Sequence, residues 1–231
     1  MSAALTSEAV QRWRARVSHP RDEVDLEAAE KAAADLLLAL GLPVDGPDMV
    51  ETPRRMAHAY AELLAAPDFD FTTFPNSEGY DELVLVENIP VRSVCEHHML
   101  PFVGVAHIGY LPGDRILGLS KFARVVDFYA HRAQTQERLT KQVAEDLQDR
   151  LQPRGVGVVV EAEHTCMSLR GVRAAGSRTV TSALFGSLRE DPAARTPRRL
   201  MQVCSASTTT PTPCGRSRSC RSSATCLVSR S

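Results

Sequence analysis

Val156-Gly157-Val158-Val159-Val160-Glu161-Ala162-Glu163-His164-Thr165-Cys166 is the stretch that decides how this chain folds. Successive side chains of a strand point to opposite faces. A strand over residues 156–166 therefore gathers Val156, Val158, Val160, Ala162, His164 and Cys166 on one face. That face begins as an apolar stripe and ends in an imidazole and a thiol, so a core strand here leads into a cluster of soft metal ligands.

A second such cluster lies upstream. Leu83-Val84-Leu85-Val86 and residues 89–94 have strand character and run directly into Cys95-Glu96-His97-His98, and residues 102–110 form a further strand candidate before the turn signal Leu111-Pro112-Gly113-Asp114. A helix is expected from Ser120, burying Phe122, Val125, Val126 and Tyr129, and another over about residues 135–151 with Leu139, Val143 and Leu147 four apart. Residues 178–185, rich in Thr and Val, make a final strand.

Toward the N-terminus, Leu26, Ala29, Ala33, Leu36, Leu37 and Leu40 recur at helical spacing, with Gly41 and Pro43 as a stop. Thr52-Pro53 reads as an N-cap with proline in the first turn of a helix that buries Met56, Tyr60, Leu63 and Leu64. Residues 67–80 read as a connection. The expected organisation is a loose arm over 1–24, a helical pair over 25–66, an α+β domain over 67–195 with antiparallel pairing at its hairpins, and a disordered tail over 196–231.

The 231 residues suit one sizeable core. No apolar run approaches the roughly 18 residues of a membrane span, and no secretory pattern opens the sequence, so a cytoplasmic protein is expected. The net charge of -1 hides an asymmetry: residues 196–231 hold six Arg and no acid, leaving 21 basic against 28 acidic residues elsewhere. Phosphate binding in the body must therefore come from local basic groups. A solvated tail is a better reading of the terminal Arg residues than a nucleic-acid binder. Four of the six Cys lie in that tail, and the two in the body, Cys95 and Cys166, both sit beside histidines. Without an export signal this favours metal binding over disulfides.

Each of these residues alone has an ordinary structural explanation, a thiol as a small buried hydrophobe and an imidazole as a satisfied polar group. Two Cys-His clusters in a body with two Cys tip the reading toward a metal. Cys95, His98 and Cys166 make a Cys2His set with a fourth position open, as catalytic zinc prefers, and zinc held so makes hydroxide available near neutral pH. His97 and His164 are then candidate proton-transfer groups. Lys121 with Arg124, Arg170, and Arg54 with Arg55 are candidates for an anionic ligand, and Glu137 stands near a helix start. The residues alone reach a zinc hydrolase for a phosphate-bearing substrate.

At this point the sequence resembles the GTP cyclohydrolase I family. The resemblance rests on Ser93-Val94-Cys95-Glu96-His97-His98, Gly118-Leu119-Ser120-Lys121, Gln136-Glu137-Arg138-Leu139-Thr140, His164-Thr165-Cys166-Met167, Arg170-Gly171-Val172 and Thr179-Val180-Thr181-Ser182, in order across about residues 26–195. It implies the tunnelling fold, an antiparallel sheet backed by helices with an N-terminal helical pair. The fold closes into an oligomeric barrel, a homodecamer of two pentamers with active sites at subunit interfaces. It further implies one Zn2+ per subunit on Cys95, His98 and Cys166, with His97, His164 and Ser120 as catalytic groups. Glu137, Gln136 and Leu119 fall at the substrate, with Glu137 on guanine, and Lys121, Arg124, Arg170 and Arg55 surround the triphosphate of GTP. The implied reaction converts GTP to formate and 7,8-dihydroneopterin triphosphate.

The sequence departs from that pattern in two places. His58 stands where the family usually carries Lys or Arg, and after Arg195 the segment Thr196-Pro197-Arg198-Arg199 and the long tail replace the expected apolar finish, as a changed reading frame would. Two other readings compete: the same reaction serving a deazapurine or specialised pterin pathway, and a non-catalytic zinc assembly whose tail binds nucleic acid. The intact His97, His164 and Glu137 weigh against the second.

Overall fold

Strand β3 (Val84–Cys95) and strand β4 (Leu100–Leu111) form a long antiparallel hairpin whose tip is the Cys95 to His98 cluster. The computed structural model describes residues 24–190 and the backbone of residues 11–14. Around the hairpin, β1 (Gln11–Arg14), α1 (Leu26–Ala39), α2 (Thr52–Leu63) and β2 (Asp70–Pro75) precede it; β5 (Arg115–Leu117), α3 (Leu119–Ala130), β6 (Ala133–Gln134) and α4 (Gln136–Leu151) follow. The described chain closes with β7 (Gly155–His164), α5 (Thr165–Ser168), β8 (Thr179–Gly186) and α6 (Ser187–Glu190). A five-stranded sheet has the order β6-β3-β4-β7-β8, antiparallel except for the short β3 to β6 pair, and β1-β2-β5 make a small second sheet.

The expected α+β character follows from where the apolar residues point. Val156, Val158, Val160 and Ala162 are buried against Phe122, Val125, Val126 and Tyr129 of α3 and Leu139, Val143 and Leu147 of α4 in one core cluster. Two helices thus cover one face of the large sheet. Thr135 caps α4 by accepting from the Arg138 amide at 3.3 Å, and Gln152 ends it in the left-handed region at φ 50°.

Several expectations need correction. β7 stops at His164, and Cys166 lies in the helical turn α5, so Cys166 does not continue the alternation of the strand. Residues 67–80 contain a true strand, β2, which pairs with β1 and β5 rather than with a sequence neighbour. The arm over 1–24 contains β1. Thr52 is the first helical residue, with Glu51 at the cap position and no side-chain cap bond. In the helical pair Met56, Tyr60, Leu63 and Leu64 are half-buried, while Leu36 and Leu40 are 47% and 67% exposed. Within one chain α1 rests chiefly on α2, which leaves their outer faces open. The tail lies outside the described residues.

Candidate metal and substrate site

Two pieces of chain, far apart in sequence, bring the soft ligands together. At the end of β3 the backbone reverses over residues 96–99: the Met99 amide donates to the Cys95 carbonyl at 2.8 Å, and Met99 takes φ 52°. This tight turn brings Cys95 Sγ and His98 Nδ1 within 3.8 Å. The turn is anchored on both sides, by the Glu96 amide donating to the Gln134 carbonyl at 3.0 Å and by the Tyr60 hydroxyl donating to the Met99 carbonyl at 2.9 Å. Pairing of β4 with β7 sets Phe102 opposite His164, and the Thr165 hydroxyl donates to the Pro101 carbonyl. The α5 turn then delivers Cys166.

The donor atoms of Cys95, His98 and Cys166 all lie within 4.8 Å of one another. A tetrahedral zinc site with bonds of about 2.0–2.3 Å has ligand separations of roughly 3.3–3.8 Å. The Cys95 to His98 separation already meets that figure, so the donor set and its spacing fit a zinc ion. Both thiols are buried and unpaired by disulfide, whereas His98 is exposed. Burial, and then the neighbouring Cys95, push the Cys166 thiol up from its ordinary value. Two buried thiolates this close repel each other unless a cation lies between them.

His164 stands beside this group under different control. Its Nε2 lies 2.8 Å from Gln136 Oε1, and its ring stacks on Phe102 with centroids 4.5 Å apart and planes inclined by 13°. Burial lowers its pKa, with Glu137 opposing the shift. His97 is exposed, its Nε2 3.9 Å from Glu96 Oε1. The same Glu96 carboxylate pairs with Arg138, whose Nε donates to Gln134 Oε1 at 2.8 Å. Glu96, without a role from sequence, thus ties the ligand turn to the first turn of α4; only the spatial neighbour Arg138 reveals this.

The other expected site residues divide by location. Glu137 is exposed at the start of α4 and lines a cleft of about 740 Å³ with Lys141, Thr181 and Phe185, next to the Gln136 to His164 contact. Arg170 follows α5 and lies close enough to bias the Cys166 thiol electrostatically. Gln136 is 2% exposed, and its side-chain amide is bonded entirely within the fold. Ser120, Lys121 and Leu119 sit at the opposite end of α3 from the metal group. The C-terminal end of α3 leads to Arg132, whose carbonyl accepts from Ser93, and to Ala133, which pairs with Val94. A helix of 12 residues spans about 18 Å, so one chain does not unite Ser120 and Lys121 with Cys95. Arg124 lines a separate cleft with Arg92 and His131, and Arg55 on α2 donates to the Thr52 hydroxyl at 3.0 Å. His58 is exposed on the same helix.

The sequence profile described as GTP cyclohydrolase I matches residues 29–204. The chain belongs to the GTP cyclohydrolase I family. It is 54% identical over 180 residues to GTP cyclohydrolase 1 of Streptomyces avermitilis, covering 75% of this chain and 88% of that one. With the Thermobifida fusca enzyme of the same name it shares 53% over 173 residues, 72% and 83% of the two chains. The Mycobacteroides abscessus enzyme gives 51% over 183 residues, 77% and 90%. The α+β architecture, a curled antiparallel sheet backed by helices, agrees with the tunnelling fold of the GTP cyclohydrolase I family. Among the described residues no helix is long and apolar enough to cross a membrane.

Proposed function

We propose that this family member opens the guanine imidazole ring of GTP at C8 by hydrolysis, releases formate, and rearranges and closes the remainder to 7,8-dihydroneopterin triphosphate. The observation that carries the assignment to residues is the convergence of Cys95, His98 and Cys166 from two separate chain segments, with His164 held beside them. Zinc bound by these three, one ion per subunit, supplies a polarised water as the nucleophile. His97 and His164 move protons to and from the opening ring, the first exposed and the second stacked on Phe102.

Glu137 selects guanine. Its carboxylate is exposed at the mouth of the cleft and can accept from guanine N1-H and the exocyclic amine together, a pair that adenine does not present. Arg170, Lys121, Arg124 and Arg55 bind the triphosphate, Ser120 lies near the ribose, and Leu119 packs against the substrate. The separation of Ser120 and Lys121 from the metal group within one chain supports a site shared between subunits of a homodecamer. The open faces of α1 and α2 support their burial in the same assembly. The enzyme is cytoplasmic, and its product enters pterin and tetrahydrofolate synthesis.

Two variants test the division of labour. Cys166→Ala removes a ligand and is expected to lose zinc and turnover together. His97→Ala is expected to keep zinc and lose turnover; full activity in that variant would remove His97 from the mechanism.

A further inference from the structure

Gln136 reads from the family motif as a substrate contact, yet its side chain is spoken for. Its Nε2 faces three acceptors on two strands: the Val160 carbonyl at 3.0 Å, the Thr179 carbonyl at 2.9 Å and the Thr181 hydroxyl at 3.1 Å. Two of these are backbone carbonyls, which only accept, so the amide nitrogen must lie on that side. The flipped amide would set its oxygen against two carbonyl oxygens. Its Oε1 is therefore the atom that faces His164 Nε2 at 2.8 Å, and an amide oxygen only accepts. The proton of that contact must belong to the imidazole.

The hydroxyls around it fix the same order. Thr140 Oγ1 donates to the Gln136 carbonyl at 2.7 Å, which uses its one proton. Thr181 Oγ1, 2.6 Å from Thr140 Oγ1, must then donate to it and keeps its lone pairs for Gln136 Nε2. Every donor in this network has one direction. Gln136 and Thr140 are 2% and 1% exposed, so water does not compete for these bonds. The Phe102 ring under His164 removes the remaining freedom, rotation of the imidazole out of its plane.

We propose that Gln136 is a positioning residue for His164 rather than a guanine contact. It holds the imidazole with its proton on Nε2, stacked on Phe102, so that Nδ1 is the nitrogen left to exchange a proton with the substrate. Family motifs give no such reading, because a helix-start glutamine beside the guanine-binding Glu137 looks like a second base contact. The proposal rests on His164 as a proton-transfer group in the reaction above.

Gln136→Met keeps length and burial and removes the acceptor. Steady-state kinetics on the zinc-loaded variant are expected to show kcat reduced at least thirtyfold, KM for GTP within twofold of the wild type, and unchanged zinc content. Gln136→Glu, which as a buried neutral acid can offer a carbonyl oxygen to His164 and a hydroxyl to a strand carbonyl, is expected to recover at least a third of wild-type kcat. A tenfold rise in KM with kcat retained would overturn the proposal in favour of a base contact. Unchanged kinetics in Gln136→Met, or equal losses in both variants with a loss of zinc or of melting temperature, would overturn it also. If Gln136→Met does not fold, the Glu variant decides by the same split: recovered kcat at wild-type KM supports positioning, and raised KM refutes it. A wild-type enzyme that turns over GTP while His164→Ala is fully active would instead remove the underlying role of His164, a distinct result.

Discussion

Gly104→Ala is a small change on β4, the strand whose ladders join β3, which ends in Cys95, to β7, which leads to Cys166. Gly104 lies on β4 opposite Ala162 of β7, two residues from the Phe102 to His164 pair. Its backbone is outside the left-handed region, so alanine meets no conformational penalty there. The difficulty is space: an added Cβ falls 1.9 Å from the Glu161 carbonyl oxygen and 2.6 Å from Ala162 Cα, where 3.0 Å is the practical floor. Both atoms are backbone, so the strands themselves must part by roughly 1 Å. Metal sites tolerate about ±0.2 Å in ligand distance, and this ladder is what registers Cys166 against Cys95. Overpacking of this kind costs about 1–3 kcal/mol, and more when backbone must move. Denaturant titration is expected to show a loss of at least about 2 kcal/mol, and metal analysis a zinc content well below that of the wild type. A variant within about 0.5 kcal/mol of wild type that keeps full zinc would refute the claim that strand spacing sets the ligand geometry.

Other perturbations probe separate parts of the fold and site. The Tyr129 hydroxyl, buried and beside Asp146, has its pKa pushed up to about 12. A raised folded pKa adds stability that is complete below the ordinary value near 10 and is lost as pH rises through about 12. Two units correspond to at most about 2.7 kcal/mol, and partial solvent access reduces this to about 1–2 kcal/mol; alkaline denaturation of wild type against Tyr129→Phe should show that difference over this window, and parallel curves would contradict it. Glu137→Gln removes half of the carboxylate proposed to accept from guanine and is expected to raise KM for GTP by tenfold or more with zinc retained, a loss of about 1.4 kcal/mol or more in binding; an unchanged KM would move guanine recognition elsewhere.

Much of the sheet and of the two central helices was legible because their periodicities are strong. α3 and α4 bury the residues that helical spacing picks out, and Val156, Val158, Val160 and Ala162 share a buried face as alternation requires. Alternation alone puts Cys166 on that face too, but the strand ends at His164 and a helical turn carries the thiol to the site. Period-two reasoning has no means of sensing where a strand stops when the next residues are Thr and Cys. β2 escapes pattern reading because its partners, β1 and β5, are distant in sequence and its Phe71-Thr72-Thr73-Phe74 core is short. The outer leucines of α1 illustrate a different limit, since helical spacing identifies an apolar face and is silent on what covers it. The contact of Glu96 with Arg138 and those of Gln136 with Val160, Thr179, Thr181 and His164 are invisible to sequence for one reason: tertiary pairing alone brings these partners near.

In the proposed reaction, one zinc on Cys95, His98 and Cys166 drives formate release from GTP. Metal content and formate production measured on the same purified sample test it most directly. The expected result is about one zinc per chain, formate and a fluorescent pterin after oxidation, and turnover that rises in proportion to bound zinc. Zinc-replete protein that releases no formate, or formate release that is indifferent to zinc content, would contradict it.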